Sequence, residues 1–217
     1  MSDYIAHEEE KNGLTLKIVP DQDPSNPRHE WDNAAVFICW HRRYELGDTP
    51  KRIVEDLPFS APSPEDFREW MRTKEGKAAV IVPLYLYDHS GITIKAGSGF
   101  SCAWDSGQIG FAVITAARGR KEWGRQWRKQ ARACIMSETE TYDSYLTGDV
   151  YGYTVTNEDG ETLDSCGGFF GLECAKEEGA AALKCQIRAQ EETLGEEHIA
   201  GMNEEKARAH KSLMAVL

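Results

Sequence analysis

The sequence predicts an α+β fold: an antiparallel or mixed sheet, helices segregated from it, and a helical acidic C-terminal tail. Three observations lead there. Apolar runs of strand length recur, the strongest being AAVIVPLYLY at 78–87. Two segments carry helical periodicity and start signals, near 63–76 and 120–146. No regular alternation of strand and helix runs along the chain, which argues against a parallel α/β sheet. The expected layout is one α+β domain over 1–171 and an acidic helical extension over 172–217.

Taken in order, Leu14–Val19 reads as a strand, followed by a Pro/Asp/Asn loop in DQDPSNPRHE. Asn33–His41 is a second strand, entered through Trp31 and Asp32, and 47–64 reads as irregular. Ser63 then caps a helix with Pro64 in its first turn and Glu65 and Asp66 at the positive end of its dipole. Gly76 is the expected stop. In the strand at 78–87, Pro83 predicts an edge position or a bulge, because proline cannot donate to the ladder. A further strand is expected at Ile109–Thr115.

The helix at 120–146 is amphipathic, with Trp123, Trp127, Gln130 and Cys134 on one side and Lys121, Arg125, Arg128, Lys129 and Arg132 on the other. Val150–Thr156 and Glu161–Cys166 alternate as a hairpin about an Asp159-Gly160 turn. From Leu172 the chain becomes rich in Ala, Glu, Lys and Gln, predicting helix to about Glu192, with Gly195 and Gly201 interrupting the remainder.

At 217 residues, 41% hydrophobic and 28% charged, the chain can bury a core. Its net charge of −11 argues against general coating of nucleic acid or anionic lipid as the main task. The charge is uneven, at −5 for 1–60, +1 for 61–150 and −7 for 151–217. No apolar run reaches the ~18 residues of a membrane span, and the N-terminal MSDYIAHEEEK has no signal-peptide pattern. Six cysteines without a CxxC pair suggest reduced thiols, so a cytoplasmic location is expected.

Candidate chemistry sits in dense polar and aromatic clusters at the predicted strand ends, where side chains can converge on one rim of a sheet. A mixed imidazole–carboxylate set of His41, Asp88, His89 and Asp105 could hold a divalent metal and activate water, although no HExxH-type spacing supports it. Cys102 could act as a nucleophile with His89 and Asp105, or Cys166 with the amides of Gly167 and Gly168 as an oxyanion site. The blander alternatives are strand-end capping by the polar residues and simple burial of the thiols. Phosphate-loop, dinucleotide and GxSxG motifs are absent. The basic face carrying Arg125, Arg128, Lys129 and Arg132 is the clearest binding signal, open to an acidic protein partner or to nucleic acid. The competing reading is a solvated helix face.

The strings WDNAAVFICWHRRYELGD, VPLYLYDHSGITI, CAWDSGQIGF and ETYDSYLTGDVYGY, within 31–155, resemble a family of small hypothetical proteins of bacteriophages and other mobile elements. The resemblance carries no catalytic or binding residues with it. What it implies is context: a cytoplasmic protein that acts by binding another protein, in its concrete form an inhibitor of a host nucleic-acid-processing defence complex. That reading needs no cofactor and no membrane, and it favours a non-enzymatic role. The alternative is a metal-dependent hydrolase acting on a phosphate-containing substrate, for which a divalent ion at the His41, Asp88, His89 and Asp105 rim would be the cofactor.

Overall fold

A computed structural model describes residues 4–214. Its elements are β1 (His7–Lys11), β2 (Leu14–Pro20), α1 (Pro27–Glu30), β3 (Val36–Cys39), α2 (Pro50–Asp56), α3 (Pro64–Arg72) and α4 (Lys74–Ala78). Then come β4 (Val80–Asp88), β5 (Ile92–Ala96), β6 (Ser106–Ile114), α5 (Ala116–Trp123), α6 (Trp127–Thr147), β7 (Val150–Thr156), β8 (Thr162–Phe170) and α7 (Leu172–Met214). They form two antiparallel four-stranded sheets, ordered β1-β2-β7-β8 and β3-β6-β4-β5, with helices outside them. The fold is α+β.

The division of the chain differs from the expected break at 171/172. One compact unit joins the N-terminal segment through Asp21 to the chain from Tyr151 onward; the other is Gln22–Val150. In the first unit, β2 pairs with β7 so that Leu16 lies opposite Val155. Leu14, Leu16, Ile18 and Val155 pack against Ala175, Ala182 and Leu183 of α7. The start of the tail is thus core rather than extension, because among the described residues of this unit α7 is the helix that covers those side chains. Gly195 and Gly201 do not interrupt α7.

In the Gln22–Val150 unit helices pack on both faces of the sheet. Phe37, Val82, Leu84, Leu86, Ala112 and Ile114 face Trp127, Ala131, Ile135 and Tyr142 of α6. Val36, Ile38 and Val113 face Ile53 and Leu57 on the α2 side and Phe67 and Trp70 of α3. At about 1.5–3 kcal/mol per buried large apolar side chain, these two layers are the main source of stability. Pro83 is not on an edge, since β4 lies between β6 and β5; the register shift at Leu84/Tyr85 supplies the bulge instead.

Helix starts follow local chemistry closely. Ser63 and Asp66 form the reciprocal capping box of α3. Thr49 accepts from the Arg52 amide and Pro50 opens α2, within a stretch expected to be irregular. Thr73 ends α3 and caps α4, so the helix stops before Gly76, which lies inside α4. The expected 120–146 helix is two helices. Gly124 at φ +65 ends α5, and a 3-10 turn leads into α6. α5 packs onto α6 through Gly119, where a Cβ would collide with the Trp127 ring.

A buried ion-pair network joins the loops of this unit. Arg28, 2% exposed, donates from Nε and Nη2 to the two oxygens of Asp48 at 2.9 and 2.7 Å. Its Nη1 reaches Glu138 Oε2 at 2.7 Å, and Nη2 also donates to the Ala35 carbonyl at 2.7 Å. The guanidinium lies 3.8 Å above the Phe37 ring. Burial alone would lower the Arg28 pKa, but Asp48 and Glu138 outweigh it and hold the charge. The carboxylates are satisfied in turn, Asp48 by the Phe37 amide at 2.8 Å and Glu138 by the Ala34 amide at 2.8 Å. Arg28→Ala strands the Asp48 carboxylate, so it should cost about 3–5 kcal/mol, read as a lower urea midpoint at unchanged m-value. A loss below about 1 kcal/mol would contradict this account.

Candidate functional site

Antiparallel pairing decides where the polar clusters meet. Cys39 lies opposite Gly110 and Tyr87 opposite Ser106. The ends of β3 and β4 and the start of β6 therefore share one end of the sheet. Three sequence clusters gather there: Trp40–Tyr44 after β3, Asp88–Gly91 closing β4, and Cys102–Asp105 before β6. Together they border a cleft of about 400 Å³, lined by His41, Arg42, Arg43, Asp88, Trp104 and Asp105 among others. His41 and Arg42 also border a second cleft of about 700 Å³ with His29, Tyr44 and Thr49.

Trp104 is the outstanding side chain of this rim. It is 97% exposed, yet its turn is closely tied. The Ser106 hydroxyl donates to the Cys102 carbonyl, and the Asp88 amide donates to the Asp105 carbonyl at 2.8 Å. His89 Nδ1 lies 3.4 Å from Asp105 Oδ2. The ring is thus displayed by a fixed turn. Behind it, Arg43 pairs with Asp88 Oδ2 at 2.7 Å, and the Tyr44 hydroxyl donates to Asp88 Oδ1 at 3.2 Å. The His41 ring stacks on Tyr44 at 5.0 Å.

The four residues considered for a metal are gathered in this way: His41, Asp88 and Asp105 line one cleft, and His89 touches Asp105. Their lone pairs are directed elsewhere, however. Both Asp88 oxygens are engaged, and among the described residues no three His, Cys, Asp or Glu side chains are grouped to hold an ion. Cys102, Asp105 and His89 are also neighbours, but in an order unsuited to thiol activation. The Cys102 sulfur lies 3.7 Å from the Asp105 carboxylate, which stands between it and the imidazole. Cys166 is exposed on β8, and the Gly168 amide, one of its two expected oxyanion donors, donates to Asp21 at 2.9 Å.

On α5 and α6 the basic side chains divide. Arg118 pairs with Asp32 and Glu122, and Arg128 donates to the Ala78 carbonyl at 3.0 Å while lying over the Trp127 ring. Arg125, Lys129 and Arg132 are exposed, without an ion pair among the described residues. Trp127 is buried and Trp123 half-buried, as the periodicity predicts, whereas Gln130 turns outward. Two site features had no prominence in the sequence, the display of Trp104 and the half-buried aromatic end of β4; the alternation Tyr85–Tyr87 was the available signal for the second.

No family model, curated protein or solved structure matches the chain, so its chemistry is read from this geometry. Among the described residues no helix is long and apolar enough to cross a membrane.

All six cysteines are free. Burial, reinforced by Asp48, pushes the Cys39 thiol up to about 12. Burial and the Glu138 carboxylate do the same for Cys134, also to about 12. Iodoacetamide at pH 8 should therefore label exposed Cys166, Cys174 and Cys185 first. Cys39 and Cys134 should react only on unfolding; peptide mass mapping that finds either modified early in the folded protein would contradict the assignment.

Proposed function

We propose that the chain is an interaction protein of a phage or mobile element that acts by binding another protein. Its most concrete form is blockade of a host nucleic-acid-processing defence complex. The observation that carries this reading is the segregation of charge between the two units. Gln22–Val150 holds 18 acidic and 17 basic residues, whereas the other unit holds 18 acidic and only 8 basic ones. Exposed carboxylates of that unit include Glu8, Glu9 and Glu10 on β1, Glu158, Asp159 and Glu161 at the hairpin turn, and Glu173, Glu177 and Glu178 on α7. A surface so rich in carboxylates can occupy a site built for phosphates. Arg125, Lys129 and Arg132 offer a second, oppositely charged contact.

Gathering of His41, Asp88 and Asp105 at one cleft favours, more weakly, a metal-dependent hydrolase of a phosphate-containing substrate. A melting temperature indifferent to Zn²⁺, Mn²⁺, Mg²⁺ and Ca²⁺ would count against that alternative.

The binding reading is tested by tagged protein expressed in a bacterial host, compared with a Glu8→Lys, Glu9→Lys, Glu10→Lys variant and an Arg125→Glu, Lys129→Glu, Arg132→Glu variant. The parent should co-purify with a nuclease-containing complex and inhibit its cleavage. At least one folded charge variant should lose about tenfold or more of that inhibition, equivalent to about 1.4 kcal/mol. Unchanged capture and inhibition in both variants would overturn the proposal.

A further inference from the structure

The helices on one face of the β3-β6-β4-β5 sheet cover only part of it. The α2 and α3 side chains reach Val36, Ile38 and Val113, with Ile81 and Phe111 half-buried beside them. On β4 the same face continues through Pro83 to Tyr85 and Tyr87, because alternate residues share a side. Lys95 and Thr93 lie opposite these tyrosines on β5, and Gln108 and Ser106 on β6. None of these residues belongs to the apolar layer under α2 and α3.

The part beyond these helices is half-buried, aromatic and cationic. Phe100 packs on Tyr87 at 5.6 Å, His89 lies 6.0 Å from Tyr87, and Lys95 Nζ sits 5.2 Å from the Phe100 ring. The displayed Trp104 and the exposed Arg42 and Arg43 stand at the same end of the sheet. Two carboxylates stand at the same end of the sheet. Asp88 is compensated by Arg43 and Tyr44, and Asp105 is approached by His89. Within a protein of net charge −11, this is a local concentration of cations interleaved with rings.

A displayed ring beside cations suits a ligand with flat faces and a string of negative charges. Unstacked bases provide the faces and their phosphates the charges. In a duplex the bases are already stacked, leaving Trp104 nothing to cover. The cleft beside Trp104, about 400 Å³, is of a size for one small ligand unit rather than a helix. We propose that this end of the sheet binds single-stranded nucleic acid, with Trp104 stacked on a base and Arg42 and Lys95 directed to phosphates. The site uses none of the residues assigned to the protein partner and does not depend on them.

Fluorescence anisotropy tests it on the full chain, using labelled mixed-sequence 12-mers of single-stranded DNA, single-stranded RNA and duplex DNA from 50 to 200 mM salt. One or both single strands should bind more tightly than the duplex. Trp104→Ala should weaken them about 5- to 150-fold, the loss expected of one stacking ring. Trp104→Phe should recover part of it, and Arg42→Gln should lower the slope of log affinity against log salt by about 0.7. Melting curves confirm that each variant is folded. Absence of single-strand binding at 50 mM salt would overturn the proposal. So would indifference to Trp104→Ala, loss confined to Arg125→Glu or Lys129→Glu, or a Trp104-dependent protein partner without nucleic-acid binding. Failure of the proposed protein blockade would leave all these readouts unchanged.

Discussion

The Gln22–Val150 unit is organised around one buried positive charge. Arg28 cannot shed its proton, so every group around it must supply compensation. Asp48 comes from the loop after β3, Glu138 from the middle of α6, and the Ala35 carbonyl from the entry to β3. The entry to β3, the loop after it and α6 are thereby fixed to one guanidinium. The same contacts set the rim. Asp48 accepts from the Phe37 amide, and the Asp48 amide donates to the Phe37 carbonyl, holding the 40–48 loop back against β3. That loop carries His41, Arg42 and Arg43 to the cleft. Glu138 couples α6 to the start of β3 through the Ala34 and Ala35 amides. The rim end of the sheet is therefore held by charge, while its middle is held by apolar packing.

This arrangement separates rigidity from reactivity. Apolar layers and the arginine network fix the backbone, which leaves the side chains at the strand ends outside the core with polar partners of their own. Asp88 and Asp105 are each occupied by a local partner, and two of the thiols are either buried or placed beside a carboxylate that disfavours the thiolate. The rings and arginines remain presented, while the groups that would do covalent or metal chemistry are engaged elsewhere.

Much of this was legible in the residues. The strong strand over 78–87, the capped helix at Ser63 and the turn at Asp159-Gly160 each rest on local chemistry, and convergence of polar clusters follows from their place at strand ends. Other features were legible but weaker. Asn12-Gly13, with φ of 53 and 75, makes the β1–β2 hairpin; the polar HEEEK preceding it has no strand-like alternation. Thr49-Pro50 is a cap followed by a first-turn proline. Of the two positions expected for Pro83, the bulge holds and the edge does not, since a neighbouring register shift lets an interior strand accept proline. The network of Arg28, Asp48 and Glu138 could not be read, because its partners are separated by up to 110 positions and charged residues ordinarily face water. Trp104 was hidden for the opposite reason. Tryptophan usually signals a core, and only the fold puts this one outside.

The path of the chain has a consequence during synthesis. Leu16 on β2 pairs with Val155 on β7, and α7 completes that layer from Ala175 onward. The first hairpin emerges from the ribosome long before either arrives, whereas the whole Gln22–Val150 unit is made in between and can fold meanwhile. Until then Leu14, Leu16 and Ile18 have no cover, and the hairpin is an open template for pairing with another nascent chain. Glu8, Glu9 and Glu10 on β1 lie opposite Lys17, Leu16 and Thr15 of β2. Three consecutive negative charges on the outer strand repel a second copy during that interval. The same glutamates that colour the finished surface thus guard the chain while it is still incomplete.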